Sequence, residues 1–536
     1  MKLLENIFFS SSPHKLEKWL VLIVFFSIWI GVFYITGILQ AGFHLTDDHE
    51  IILFNDLLKK QSVFSLISEQ VYTDMLTRFR PLYYPHRILM TYVLGVNASA
   101  WAIYFCFLGV ISSFLLYHAL RKIGFSFFEA LLFPLFAFFG EQTAVWWRLG
   151  TAETLGMLFA SLSILLATVS HQNRLYSFIF IVSTLLASLS KESFILLIPA
   201  LIFWKIWVEK SLSINKIDWK VAIKLNLISI IVLTICVLVE IYVISTQTNA
   251  QGTIFNATDA NSNSAFRNTI LLYMINKILT FNQIHILLIV FVAILLFAIS
   301  DEFPKAKNRL THVLQELIPI FLFVLLILMP QFVLYSRTDL YERYLIPATV
   351  SLGFFAVCLI KIIRLQDFIK KYLKVLFCLL GLVGLYFPIG KAYFKGMDFA
   401  AEGKNTKALL QFVKSTTTAQ SSILLLSEPV QFNEWTHSFY RFMNSSIYQR
   451  PNVLLHLAII PQPEVPQEVA LGNKTNLENL FKSQVFDFEK DKDKIRCIVV
   501  LPMKELEHKL LKEKADWLKE QGFERATFGS FVVYAK

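Results

Sequence analysis

Charge is scarce in this chain: 17% of its 536 residues are Asp, Glu, Lys or Arg, where a soluble domain carries about a quarter. That shortage excludes an ordinary cytosolic enzyme. Cysteine is nearly absent, with 5 in the whole chain. Cys106, Cys236, Cys358 and Cys378 lie in apolar runs and Cys497 in a strand-like run, none at a C-x-x-C or other ligand spacing. Neither a disulfide framework nor a thiolate metal site is expected. Internal repeats, heptads and low-complexity tracts are lacking as well. The first apolar stretch, preceded by Lys2, Lys15 and Lys18, has no small-residue cleavage site and exceeds a signal-peptide core. It reads as a retained first span.

What is abundant is apolar surface. Hydrophobic residues make up 55% of the chain, 50 of the residues are phenylalanine, and mean hydropathy is +0.56. A water-facing globule cannot bury that much, so a polytopic membrane protein is expected. With about 20 apolar residues needed to cross the hydrocarbon, eleven spans are predicted: 19–41, 99–120, 127–145, 151–170, 175–190, 194–208, 225–245, 284–300, 313–334, 344–363 and 373–390. The net charge of +11 is read through its distribution. With the N-terminus inside, nineteen Lys and Arg fall in the cytoplasmic stretches and eleven in the outer loops. This is the positive-inside bias. The basic balance is therefore an orientation device, and no nucleic-acid partner is expected.

From about Lys391 the composition evens out to twenty basic and seventeen acidic residues. Ser421–Ser427 and Arg496–Leu501 read as buried strands. Pro502 opens a helix through Gln521 with Leu506, Leu510, Trp517 and Leu518 on its apolar side. Phe528–Ala535 reads as a closing strand. The expected class is mainly α: a transmembrane helix bundle over 1–390, followed by an extracytoplasmic α/β domain over 391–536.

In this topology the polar clusters fall on the outer side. Asp47-Asp48-His49-Glu50 follows the first span, and Arg80 and Arg87 flank Pro-Leu-Tyr-Tyr-Pro-His. Trp146-Trp147-Arg148, Glu153, Lys191-Glu192, Arg337 and Tyr341-Glu342-Arg343 come later. Adjacent carboxylates repel, which suits one of them to accept a proton. With His49 and Glu50 they can also hold a divalent cation, or simply start the helix that Ile51, Phe54, Leu57 and Leu58 pattern. Arginine forks in a proline-stiffened aromatic loop suit a phosphate, or a lipid headgroup. Trp146 and Trp147 fit an interfacial belt better than a sugar platform. Lys191-Glu192 fits an ion pair at a hairpin tip, and Glu153 and Glu240 fall inside or at the ends of spans.

The ordered set resembles the GT-C class of polytopic glycosyltransferases, in particular the protein O-mannosyltransferase branch, over about residues 19–390. Asp47-Asp48 is similar to that branch's acidic motif. Phe79-Arg80-Pro81-Leu82 is similar to the loop motif of tetratricopeptide-containing O-mannosyltransferases, and Glu342-Arg343-Tyr344-Leu345-Ile346-Pro347 to a stretch of bacterial members. The chain departs from them in having no tetratricopeptide repeats. The resemblance implies an inverting transfer, on the outer face of the membrane, from a polyprenyl-phosphate-linked sugar to a glycan, lipid or protein acceptor, and a bacterial inner membrane is the expected location. It implies Asp47 as base and Asp48 as orienting group or ligand of a divalent metal, the candidate cofactor. Arg80 and Arg343 would neutralise the leaving phosphate. His49, Glu50, Arg87, Arg148, Glu153, Lys191, Glu192, Arg337 and Glu342 complete the candidate substrate contacts. The competing class is a transporter or flippase of a lipid-linked sugar, which commonly shows the internal repeats this chain lacks.

Overall fold

The structure, a computed structural model, describes residues 15–76, 78–170, 173–212, 218–247, 307–335, 346–365, 384–460, 467–481 and 485–536. It is mostly helical, with one small sheet near the C-terminus. Three described helices are long and apolar enough to cross a membrane: Leu16–Ile35, Ala98–Lys122 and Leu227–Thr246. A fourth candidate is a broken pair, Phe127–Phe138 and Glu141–Trp147, bent by 75°.

This is fewer than the eleven expected spans. Glu153–Val169, Arg174–Ser188, Leu317–Gln331 and Ile346–Ile362 are shorter apolar helices. The expected 194–208 span is interrupted between Glu192–Ile195 and Ile198–Leu212. The 284–300 span and most of 373–390 lie outside the described residues. Hydropathy sums side chains and is blind to backbone breaks. In the bent pair the break comes at Gly140, whose φ of 137° suits a residue without Cβ. Its loosened carbonyls are re-satisfied by side chains: Gln142 Nε2 donates to Phe139 O at 2.8 Å and Thr143 Oγ1 to Phe138 O at 2.9 Å.

The chain divides into two compact units. The first comprises Met1–Thr36, Ile67–His86 and Ile103–Gly396. Its helices are tied by polar contacts inside an apolar packing. Trp204 Nε1 donates to Ile164 O at 3.0 Å and Thr349 Oγ1 to Ala137 O at 2.7 Å. A buried ion pair joins Arg121 Nε to Glu17 Oε1 at 2.6 Å. Trp146 and Trp147 are fully buried among Trp29, Phe33 and Phe138, so they form core rather than an interfacial belt.

The second unit comprises Gly37–Leu66, Arg87–Ala102 and Met397–Lys536. Its sheet has the order β2-β1-β3-β5-β4, with β1 Ser422–Ser427, β2 Val453–Leu457, β3 Ile495–Val500, β4 Glu524–Phe528 and β5 Phe531–Ala535. β1 runs parallel to β2 and β3, while β5 is antiparallel to β3 and β4. The apolar runs Ile423–Leu426 of β1 and Cys497–Val500 of β3 suit a sheet covered on both faces. Leu425, Leu455, Val499 and Val533 face one core, and Leu424, Ile498, Val500 and Tyr534 face the other with Leu506 and Leu510 of the helix Lys504–Glu520. The expected closing strand is two strands. Gly529, with φ of 61°, turns the chain between β4 and β5, a conformation that favours glycine. β2 and the helix Asn433–Asn444 were not expected at all. Leu45 and Ile52 from the first loop belong to the sheet's core, so the unit is not confined to the C-terminal segment.

Candidate functional site

In the second unit, the acidic segment is a tight turn leading into the helix His49–Leu57. Asp48 stands at the N-cap but makes no side-chain cap bond. Its carboxylate reaches back instead: Oδ2 accepts the backbone N–H of His44 at 2.9 Å and lies 3.5 Å from the His44 ring Nδ1. Asp48 is 2% exposed, whereas Asp47 is half-buried. The two neighbours are therefore chemically distinct, one committed inside the fold and one accessible. The helix-start expectation holds for Ile51 and Phe54, which are buried, but not for the carboxylate's use.

The rest of the unit holds this turn in place. The His44 ring stacks on Phe399 at 3.7 Å and donates Nε2–H to Phe399 O at 2.8 Å. His49 donates Nδ1–H to Thr46 O at 2.7 Å, and the same carbonyl accepts Ser438 Oγ at 2.9 Å. The His49 ring meets His437 edge-on at 5.1 Å. Burial pushes His49 below its ordinary value, against the pull of Glu50. Burial likewise pushes His437 down, to about 3, with Arg441 and His49 adding. Both rings are neutral near pH 7. Arg87, 2% exposed, sets its Nε 3.1 Å from Glu50 Oε2 and donates Nη2–H to the carbonyl of Asp47. Its guanidinium thus braces the acidic turn from the helix Tyr83–Leu94.

In the first unit, the arginines of the Phe-Arg-Pro-Leu loop are paired with acids. Arg80 forks onto Asp74, with Nε to Oδ2 and Nη2 to Oδ1 both at 3.0 Å, and covers the Tyr83 ring at 4.3 Å. Arg78 pairs with Glu192 at 3.2 Å, and Glu192 Oε1 also accepts the N–H of Phe79 at 3.1 Å. Burial works against the Glu192 carboxylate, but Arg78 and Arg80 outweigh it and hold it below the usual range. Lys191 makes a buried ion pair with Glu153. The adjacent Lys191 and Glu192 thus engage separate partners. Leu82 N–H donates to Leu189 O at 3.0 Å and Tyr83 OH to Gly150 O at 3.0 Å. Arg80 acts on Glu192 electrostatically, and the Lys191–Glu153 pair stands beside them as a separate contact. Arg148 is half-buried, and its Nε has no hydrogen-bond partner among the described residues. Glu240, on the helix Leu227–Gln247, accepts Ser188 Oγ at 2.7 Å.

Arg337, Glu342 and Arg343 lie outside the described residues. Among the described residues, no three His, Cys, Asp or Glu side chains are grouped to hold a metal ion. Asp48 Oδ2 is held by the His44 N–H, which leaves Oδ1 and the Asp47 carboxylate as the donors a divalent ion would take there. Sequence reading missed Asp74, His437 and Ser438. Asp74 lies six positions before Arg80, a spacing open to inspection. Ser438 is 392 positions from Thr46, and nothing local announces it. Compared with known proteins, the chain matches no family model and no curated sequence.

Proposed function

We propose that the protein is a polytopic membrane glycosyltransferase moving a sugar from a polyprenyl-phosphate-linked donor to an acceptor hydroxyl, with inversion. The observation that carries the reading is the inequivalence of the adjacent carboxylates: Asp48 is buried on the His44 N–H, while Asp47 is half-buried with its carbonyl held by Arg87. A general base needs an accessible carboxylate on a rigid support, and Asp47 is the one that meets the description. Asp47 takes the proton of the acceptor hydroxyl as that oxygen attacks the anomeric carbon. The bond from that carbon to the phosphate oxygen breaks, and its electron pair leaves with the lipid phosphate.

The resemblance assigns the charge on that phosphate to arginines such as Arg80 and Arg343. Arg80 is already forked by Asp74, so Arg148, whose Nε keeps an uncommitted donor among the described residues, joins them as a candidate. Stabilising a leaving charge is the electrostatic task that usually carries the largest share of such a barrier. Glu153, Lys191 and Glu192 act as the frame of the arginine loop. In this proposal the chain crosses a bacterial inner membrane eleven times, N-terminus inside, with 391–536 outside. Polyprenyl-linked donors suit that face because nucleotide sugars are cytoplasmic.

The test is a glycan and lipid profile of a deletion strain complemented with the wild-type or Asp47→Asn chain. The deletion should accumulate sugar-loaded polyprenyl phosphate and lose one glycan linkage. Wild type should restore the linkage, and Asp47→Asn should show turnover reduced by about 10²–10⁴-fold. Full turnover by Asp47→Asn would sink the proposal. A flippase would instead trap the loaded lipid in the inner leaflet and show no transfer by the purified protein.

A further inference from the structure

The second unit holds a groove of about 530 Å³ that the proposed chemistry leaves without a use, within the range of about 300–1,000 Å³ of small-molecule sites. Every residue lining it belongs to that unit. They come from the stretch after the helix Leu16–Ile35, the start of Ala98–Lys122, the helix Tyr386–Thr416 and the loop after Asn433–Asn444. The frame is braced. Ser99 Oγ donates to Leu39 O at 2.6 Å and Trp101 Nε1 to Gly95 O at 3.0 Å. Gln449 adopts φ of 53°, a left-handed conformation uncommon outside glycine that persists where its surroundings enforce it. Arg450 enforces it, donating to Thr417 O at 2.6 Å, Lys414 O at 2.7 Å and Tyr448 O at 3.0 Å. The Tyr448 ring, one residue away, is thereby fixed in the groove's wall, edge-on to Phe442 at 6.3 Å.

The polar lining is Gln40, Asn97, Ser99, Lys407, Gln411 and Tyr448. Gln40, Gln411 and the Tyr448 hydroxyl have no hydrogen-bond partner among the described residues. Asn97 commits Oδ1 to the Ala100 N–H at 3.1 Å and keeps its amide donors, while Ser99 keeps its oxygen lone pairs. Amides and hydroxyls both donate and accept, which matches the hydroxyls of a sugar. One ammonium and no carboxylate among the lining residues give an ionic ligand little to hold. A peptide is read through a strand edge or an apolar trough for a helix, and neither edge strand, β2 or β4, lines the groove. Phe43 and Ile52 line it from positions before and after Asp47 in the chain. The four residues from Phe43 to Asp47 reach at most about 14 Å, so the groove begins within the length of a short oligosaccharide from the proposed base.

We propose that this groove binds the acceptor and that the acceptor is a neutral glycan. Calling the ligand an acceptor rests on the transferase reading, whereas its binding is measured without turnover. The test uses the full-length chain in a sugar-free neutral detergent, titrated by saturation-transfer NMR. Maltotriose, chitotriose and mannotriose are the probes, with inorganic phosphate and a serine-rich peptide beside them. At least one trisaccharide should bind with a Kd of about 1 mM or tighter. Gln411→Ala and Tyr448→Phe, which keeps the ring, should each weaken it by about three- to tenfold. Gln40→Trp, at an exposed position, should fill the groove and abolish binding, and Asp47→Asn should bind as wild type does. Absence of binding by all three trisaccharides would overturn the proposal, as would equal binding by wild type and the three groove variants. Binding of the peptide or of phosphate in place of the sugars would overturn the glycan. Transfer by wild type with no sugar bound in this groove would overturn the groove and leave the transferase, and binding with no transfer by wild type would keep the glycan site and sink the transferase.

Discussion

The backbone N–H of His44 donates to Asp48 Oδ2 at 2.9 Å, and the ring of the same histidine lies 3.5 Å from that oxygen. Asp48 is therefore a fold element at the root of the acidic turn. Replacing it with alanine leaves a buried N–H unpaired, which costs about 1–3 kcal/mol. We expect Asp48→Ala to lower the unfolding midpoint in a denaturant or thermal titration, whereas Asp47→Asn leaves the midpoint in place. Equal destabilisation by the two would remove the distinction between structural and accessible carboxylate.

How much of this was legible beforehand depends on the range of each interaction. Ser422–Ser427 and Ile495–Val500 were readable because a strand covered on both faces centres on a short apolar run, here Ile423–Leu426 and Cys497–Val500. The helix Leu16–Ile35 was readable because its composition alone meets the length of a bilayer. The bend at Gly140 was not, since a hydropathy window ignores φ. Val453–Leu457 hid behind its brevity, and Gly529 inside an apparently continuous strand. Asp47-Asp48 was legible as a pair, but their inequivalence depends on His44, Phe399 and the remote Ser438. Contacts across hundreds of residues leave no local pattern.

The paired rings of His49 and His437 set a pH dependence. Both pKa values are depressed on folding by burial, His437 to about 3. The unfolded chain therefore binds more protons than the folded one below about pH 6.5. Stability is unaffected above that pH and falls as pH drops from there towards about 3, by at most about 1.4 kcal/mol per pH unit for each ring. His437→Phe, which keeps an edge-on aromatic contact, should flatten the slope of melting temperature against pH between 6.5 and 4. An unchanged slope in that variant would mean the ring is charged in the fold.

Arg121 grips Glu17 through two nitrogens, at 2.6 and 2.9 Å, and Tyr117 OH donates to the same carboxylate. All three are buried. Breaking a buried pair strands the surviving charge, so Glu17→Gln should cost about 3–5 kcal/mol, while Glu17→Leu/Arg121→Leu should cost much less. Unfolding of the two variants in one detergent reads the difference. A double variant as unstable as the single would show that packing, not charge pairing, sets the value.

Gly403 is where the helix Tyr386–Thr416 comes close to the acidic turn. A Cβ there would stand 2.7 Å from His44 Cε1 and 2.8 Å from Ala41 O, inside any normal contact. The His44 ring is stacked on Phe399 and bonded through Nε2, so it cannot yield without releasing the partner of Asp48. Alanine gains about 1 kcal/mol of helix propensity over glycine, and overpacking costs about 1–3 kcal/mol. We expect Gly403→Ala to be net destabilising and to lower turnover through the displaced turn. Gly390 supplies the control within the same helix, because a Cβ there meets nothing within 4 Å among the described residues. Gly390→Ala should therefore be neutral or stabilising by up to about 1 kcal/mol. If both variants rise in stability together, the turn is not pressed against the helix at Gly403, and the support drawn for Asp48 fails with it.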